Sequence, residues 1–147
     1  MIRSAIRRKT AAVSLSALIL GAVVGMAQSR RSSSANGDRS IYAELRKAPA
    51  KAAAKPNPLE ADPDAVAGGA KLFEMHCAEC HGAAAGGGKK GPSLRAEEVQ
   101  QATPGTLFWL LTNGVVRRGM PVWSRLPEPQ RWQLVSYIKS LKPPARP

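Results

Sequence analysis

The sequence is poor in the residues on which most metal and redox sites depend. Its 147 residues include only two cysteines and two histidines. A zinc ribbon needs two pairs of ligands, and beyond Cys77, Cys80 and His81 only His76 remains. No segment reads as a β-strand, which argues against the βαβ setting of a thioredoxin-like dithiol. These two common uses of paired cysteines are therefore disfavoured.

Acidic and aromatic residues are also scarce. Lys and Arg number 22 against 10 Asp and Glu, giving a net charge of +12, while aromatic residues make up 5% of the chain. A basic chain can bind nucleic acid, but we find no recognition motif and no basic-aromatic repeat, so we expect no nucleic-acid partner. A basic face that steers encounters with an acidic protein is the better use of this charge.

The two cysteines lie in one pentapeptide, Cys77-Ala78-Glu79-Cys80-His81. This C-x-x-C-H pattern is the attachment signature of c-type haem. The two thiols can add across the two vinyl groups of haem as thioethers, and the histidine can then ligate the iron. A structural disulfide explains neither the spacing nor the histidine. The motif predicts one haem c, covalently bound through Cys77 and Cys80, with His81 as an iron ligand.

Residues 1–27 have the features of a secretory signal peptide. Basic residues come first, an apolar stretch runs from Ala11 to Val24, and small residues precede a cleavage site after Ala27. The apolar stretch, at about 15 residues, is short for a membrane span. An uncleaved anchor is the alternative. In either case we expect the rest of the chain to be exported, and membrane contact only if this segment is retained.

Residues 28–60 are poor in large apolar side chains and rich in Ala, Ser, Lys, Arg and Pro. This composition predicts a flexible linker. The alternative is an arm whose Tyr42, Leu45 and Leu59 dock on the domain or on a partner. We assign residues 61–142 to a haem domain and residues 143–147 to a tail.

The haem domain is predicted to be helical. Asp62 and Pro63 are typical of a helix start, and this first helix should run to about Met75. Gly68 and Gly69 within it indicate a close approach by another element. Further helices are predicted over 96–101, from Thr103-Pro104 to Asn113-Gly114, and from about Pro129 to Leu141.

A second iron ligand is suggested in the loop 115–123. Met120 lies between Gly119 and Pro121, which restrict the backbone and leave the thioether projecting. A methionine in a loop can simply fill a gap in a core. A soft thioether is nevertheless a suitable sixth ligand for haem iron, and we predict that Met120 supplies it.

These elements, in this order, resemble the class I c-type cytochromes over about residues 60–142. The resemblance rests on the spacing of Gly69, Phe73 and Cys77 in the first helix and on four later segments, which are Cys77–His81, Gly91–Leu94, Gly119–Pro121 and Leu134–Ile138. It implies an all-α, cytochrome c-like fold of about three to five helices around one covalently bound haem, preceded by a disordered linker. It also implies that the carbonyl of Pro92 accepts a hydrogen bond from His81. His81 and Met120 together would ligate the iron.

The resemblance implies a periplasmic one-electron carrier, not an enzyme, because both axial positions would be filled by the protein. Its partners would be redox proteins, with a dehydrogenase as donor and an oxidase or another cytochrome as acceptor. The loop 115–123 is similar to that of small bacterial cytochromes that accept electrons from quinoprotein dehydrogenases. Basic residues near the haem edge would dock on an acidic patch, and the candidates are Lys89, Lys90, Arg95, Arg117, Arg118 and Arg125.

Two other functions fit the same residues. The first is an electron-accepting subunit of a periplasmic, quinoprotein-type dehydrogenase complex, assembled through the linker or an uncleaved anchor. The second is a haem enzyme or gas sensor in which Met120 is a labile ligand.

Overall fold

The computed structural model describes residues 42–141. The predicted signal peptide, the first part of the predicted linker and the tail lie outside these residues. A 3₁₀ helix, Tyr42–Lys47, comes first. The α-helices are α1 (Ala50–Ala53), α2 (Pro63–His76), α3 (Ala78–His81), α4 (Glu97–Gln101), α5 (Pro104–Asn113) and α6 (Glu128–Ser140), and a 3₁₀ turn, Val116–Arg118, lies between the last two.

The all-α class predicted from the sequence is confirmed, since residues 42–141 contain no strand and only one isolated bridge, between Val115 and Met120. The helices starting at Pro63 and Pro104 begin where the sequence predicts. The side chain of Asp62 accepts a hydrogen bond from the backbone N–H of Asp64, and that of Thr103 accepts one from Thr106. Each proline occupies a first-turn position where no N–H is needed.

Helices α2 and α6 cross at the centre of the domain. A Cβ added to Gly69 would lie 2.0 Å from the carbonyl oxygen of Gln133 and 2.8 Å from the Cβ of Tyr137. Only a residue without a side chain allows the two backbones to approach so closely. The close crossing predicted from the paired glycines is therefore confirmed. Phe73 and Val135 are fully buried beside it.

A second part of the core joins α5 to α6. The rings of Phe108 and Trp132 are stacked with centroids 4.0 Å apart, and the guanidinium carbon of Arg131 lies 4.6 Å from the centroid of Phe108. The indole N–H of Trp132 donates to Glu128 over 3.3 Å. This stack fixes α5, and therefore the loop that follows it, relative to α6.

Residues 42–60 differ from the flexible linker that their composition predicts. They form the 3₁₀ helix and α1 and pack on the domain, with Leu45 and Leu59 against the buried core. The hydroxyl of Thr103 donates to the carbonyl of Ala53 over 2.7 Å. A Cβ on Gly105 would lie 2.2 Å from the carbonyl oxygen of Ala52, so α1 rests directly on the start of α5. For this part of the chain the docking alternative describes the structure. We call residues 42–60 the arm.

The arm is fixed to α6 by a buried amide. Asn57 is 7% exposed, and its side-chain nitrogen donates to the hydroxyl of Ser136 over 2.8 Å. Its side-chain oxygen accepts from the backbone N–H of Leu59 over 2.9 Å. Buried polar groups are tolerated when they are paired in this way. Such specific pairing is invisible in composition, and this is why an Ala/Lys/Pro-rich segment was predicted to be flexible.

Candidate haem site

The two cysteines lie at the junction of α2 and α3. Cys77 ends α2, and its carbonyl accepts hydrogen bonds from the backbone N–H groups of Cys80 and His81 over 3.1 and 2.9 Å. Both cysteines are free, Cys77 buried and Cys80 half-buried. Burial, together with the neighbouring Cys80, raises the pKa of the Cys77 thiol to about 11.

His81 is oriented by a backbone carbonyl. Its Nδ1 lies 2.8 Å from the carbonyl oxygen of Pro92. A carbonyl can only accept, so the hydrogen of a neutral ring is on Nδ1 and the lone pair of Nε2 is left available. This is the arrangement typical of a metal-ligating histidine, whose second nitrogen donates to a nearby acceptor.

The glycine-rich loop after His81 brings Pro92 into position. The backbone N–H of Gly87, which has a φ of +87°, donates to the carbonyl of His81 over 2.8 Å. A Cβ on Gly91 would lie 3.1 Å from both Nδ1 and Cε1 of His81. The backbone therefore lies directly against the imidazole ring, and a side chain at position 91 would crowd it.

Met120 is held by a different segment. Its backbone forms two hydrogen bonds with Val115, of 3.0 and 3.2 Å, and the preceding Gly119 has a φ of +85°. Met120 is half-buried and packs against the core cluster that also contains Cys77. The short turn thus positions the thioether against the same core as the attachment motif.

An aromatic pair joins this loop to the end of α2. The rings of His76 and Trp123 are tilted, with centroids 5.3 Å apart. The backbone N–H of Trp123 donates to the carbonyl of Leu111 over 3.0 Å, which fixes the loop to α5. Nothing in the sequence indicates this pair, because no local pattern connects residues 47 positions apart.

The charged groups beside the motif are mostly exposed. Lys90 pairs with Glu79 over 2.5 Å, with 62% and 81% of the two side chains accessible. Their hydrogen bond, and then their mutual charge, raises the pKa of Lys90 and lowers that of Glu79. One of the six predicted docking cations is thus already paired within the chain. Lys89, Arg117 and Arg125 are exposed as well.

Together these residues fit a covalently attached haem. They offer two thiols that are not joined in a disulfide, an imidazole nitrogen directed by Pro92, and a half-buried thioether in a fixed loop. Nitrogen and thioether donors are the pair used by c-type cytochromes with high potential. Within residues 42–141 no three His, Cys, Asp or Glu side chains are grouped so that they could bind a metal ion by themselves.

Tyr42, which the sequence indicates only as a docking residue of the arm, also contacts this site. Tyr42 is buried, and its hydroxyl donates to the carbonyl of Ser93 over 3.0 Å, one residue from Pro92. Its hydrophobic character suggested docking, but nothing in the sequence identified its acceptor.

Among the described helices, none has the length and apolar character needed to cross a bilayer.

Comparison with known proteins identifies a family. Residues 64–138, just over half of the chain, match the model of the family described as cytochrome C oxidase, cbb3-type, subunit III. The chain is also 34% identical over 103 residues to a protein from Rubrivivax gelatinosus named cbb3-type cytochrome c oxidase subunit CcoP. That alignment covers 69% of this chain and 32% of the relative, so the chain spans about a third of the relative's length.

Among solved structures, the fold is similar to that of cytochrome CL from the marine methylotrophic bacterium Methylophaga aminisulfidivorans. The TM-score is 0.52 with 25% sequence identity, and the match covers 59% of each chain. Residues 64–138, which match the family model, contain Cys77, Cys80, His81, Pro92 and Met120.

Proposed function

Because this chain belongs to the class I c-type cytochromes, within the family described as cytochrome c oxidase, cbb3-type, subunit III, we propose that it is a periplasmic one-electron carrier with a single haem c. Proteins of this family transfer electrons and are not enzymes, and this chain is an electron-transfer protein. We likewise propose the export of the chain, its haem-attachment residues, its iron ligands and its partners.

Cys77 and Cys80 would hold the haem through two thioethers, and the Nε2 of His81 and the sulfur of Met120 would ligate its iron. The observation on which this rests is the 2.8 Å hydrogen bond between Nδ1 of His81 and the carbonyl of Pro92. It leaves Nε2 as the free donor atom and fixes the plane of the ring. A histidine so oriented, directly after a C-x-x-C pair, has the arrangement that haem ligation requires.

When bound, the haem supplies a one-electron couple between ferric and ferrous iron. The chain's own residues set the properties of that couple. The Pro92 carbonyl makes the His81 imidazole more basic, while a thioether at Met120 raises the reduction potential relative to a second nitrogen ligand. With His81 and Met120 both as ligands, the iron would have no open position for a substrate.

The partners that we propose are a dehydrogenase as electron donor and an oxidase or another cytochrome as acceptor. Two relatives support this choice: one is named as a subunit of a cbb3-type oxidase, and the other is a cytochrome CL of a methylotroph. Exposed Lys89, Arg117 and Arg125 give the chain positive charge that would favour an acidic docking surface.

The test is a mass spectrum of the exported protein, taken with its visible spectra in the ferric and ferrous states. We expect the mass of the chain after cleavage at Ala27 plus one haem that survives denaturation, and a low-spin spectrum with nitrogen and thioether ligands. Cys77→Ala and Cys80→Ala should each weaken covalent attachment. Haem that is released from the denatured wild-type protein would contradict the proposal.

A stable complex is the second candidate function. It is supported by the same relative, which is a named subunit of an oxidase complex. The alternative of an electron-accepting subunit of a quinoprotein-type dehydrogenase complex makes the same prediction of a permanent partner. Copurification at fixed stoichiometry after a high-salt wash would favour a subunit, and a monomer that reacts by collision would favour the free carrier.

A further inference from the structure

The arm contacts the segment that orients His81. Tyr42 is 8% exposed, and its hydroxyl donates to the carbonyl oxygen of Ser93 over 3.0 Å. The two residues are 51 positions apart. Tyr42 also lies outside residues 64–138, the part of the chain that matches the family model. This contact is therefore contributed by the arm and not by the family segment.

The position of the Ser93 carbonyl connects this contact to the peptide unit that binds His81. The carbonyl of Ser93 and the N–H of Leu94 belong to one planar peptide unit. Tyr42 binds the carbonyl, and the N–H of Leu94 donates to the carbonyl of Ala85 over 2.9 Å. Both polar groups of this unit are thus hydrogen-bonded, one to the arm and the other to the glycine-rich loop.

The preceding peptide unit carries the carbonyl of Pro92, which accepts the hydrogen bond from His81. The two units meet at the Cα of Ser93, so rotation of one moves the other. The backbone is also tightly surrounded here, since a Cβ on Gly87 would lie 2.7 Å from the nitrogen of Ser93. Fixing the Ser93–Leu94 unit therefore limits the directions in which the Pro92 carbonyl can point.

We propose that Tyr42 is a positioning residue for His81, acting through Ser93 and Pro92, so that the arm tunes the reduction potential of the haem. This inference rests on the proposed function, in which His81 ligates the iron. Without the Tyr42 hydroxyl, the Pro92 carbonyl is less firmly directed and accepts a weaker hydrogen bond from His81. A less basic imidazole stabilises ferric iron less, so the potential rises.

The substitution Tyr42→Phe removes only the hydroxyl and leaves the ring in the buried core. In the full-length holoprotein we expect an upward shift of the reduction potential. We also expect faster deuterium exchange of the Nδ1 proton of His81, followed by NMR, because a weaker hydrogen bond protects that proton less. The exchange rate reports on the hydrogen bond directly and does not depend on electron-transfer activity.

Tyr137→Phe is a matched control, since the chain has only two tyrosines. The ring of Tyr137 packs against Phe73 with centroids 5.2 Å apart, and its hydroxyl has no hydrogen-bond partner among residues 42–141. The same chemical change should leave both the potential and the exchange rate as in the wild type. Urea unfolding of both variants then separates loss of stability from loss of positioning.

Three results overturn the inference, and they are distinguishable. If the wild type has the expected nitrogen and thioether ligation but Tyr42→Phe changes neither readout, Tyr42 does not position His81 and the proposed function stands. If His81→Ala leaves the wild-type visible spectrum unchanged, His81 is not a ligand, and the proposed function fails together with this inference. A shift of equal size in Tyr137→Phe also contradicts a specific role for Tyr42.

Discussion

Gly69 of α2 and Gln133 of α6 are in direct backbone contact: a Cβ built on Gly69 would lie 2.0 Å from the carbonyl oxygen of Gln133. Real Cβ atoms do not approach a backbone oxygen to that distance. The two helices form the scaffold of the domain, and α2 leads directly into the attachment motif at Cys77. The crossing therefore determines where the motif lies relative to the core.

We predict that Gly69→Ala destabilises the holoprotein by about 1–3 kcal/mol, because the helices must separate to admit a methyl group. Urea unfolding, followed by the visible absorbance of the haem, measures the change. Gly86→Ala is the control, since Gly86 is exposed and a Cβ there meets nothing within 4 Å. Equal stability of the two variants would contradict the close packing described here.

Met120→Ala should open the sixth coordination position. We expect the thioether-to-ferric-iron absorption band to disappear and the ferrous protein to bind CO rapidly at neutral pH. Met75→Ala is the control, because Met75 is 66% exposed and should change neither property. Rapid CO binding by the wild type itself would instead support the gas sensor or enzyme in which Met120 is labile.

Asn57→Ala should loosen the arm. The substitution leaves the backbone N–H of Leu59 without its acceptor and removes the amide that donates to the hydroxyl of Ser136, so we expect a loss of about 1–3 kcal/mol in the free energy of unfolding. Unfolding free energy and the rate of proteolysis within residues 42–60 measure the effect. Asn113→Ala is the comparison, because Asn113 is exposed and bonds only within its own helix.

Lys139 should make stability depend on pH. Its amine donates to the carbonyls of Gln100 and Ala102, and burial lowers its pKa from the ordinary value of 10.5, against the opposing charge of Glu60. The folded protein therefore releases this proton at lower pH than the unfolded chain does. Linkage requires that the contribution of Lys139 to stability increases as pH rises from the lowered pKa to 10.5.

The measurement for Lys139 is the unfolding free energy of wild type and Lys139→Met across the alkaline range. The wild type should gain stability relative to the variant as pH rises through that window. The same substitution at Lys51, an exposed residue of α1, provides the comparison. A difference between wild type and Lys139→Met that is constant with pH would contradict the direction of this pKa shift.

Charge reversal tests the docking surface. Lys89→Glu should slow the second-order reaction with an acidic redox protein and reduce its dependence on ionic strength, because like charges then meet at the interface. Lys90→Glu should have a different effect, since Lys90 already pairs with Glu79 and its loss also leaves that carboxylate unpaired. Lys51→Glu on the arm controls for net charge.

Much of the fold could be predicted because its signals are local. Asp62-Pro63 and Thr103-Pro104 each place a capping side chain before a proline, and both helices start there. The spacing of Cys77, Cys80 and His81 specifies a chemistry within five residues. The glycines at 68 and 69 predicted a close crossing because glycine is unfavourable in a helix unless something else approaches.

The remainder depends on partners distant in sequence. The sequence around Asn57 indicates only a linker, and the hydrogen bond of its amide to Ser136 is visible only in the structure. The sequence likewise places His76 near the end of a helix and does not indicate that its ring packs beside Trp123. Residues 78–81 were not predicted as a separate helix, because four residues carry no periodicity. The hydroxyl of Tyr137, which is half-buried, has no partner within residues 42–141.

The arm is part of the unit that folds. The family model begins at residue 64, yet the core that surrounds the motif includes Tyr42, and α5 starts against the carbonyls of α1. A chain trimmed to the matched segment would leave the carbonyl of Ser93 and the hydroxyl of Ser136 facing water. The integrity of the haem domain therefore depends on residues upstream of the family boundary, through the bonds that Ala53 and Asn57 make to α5 and α6.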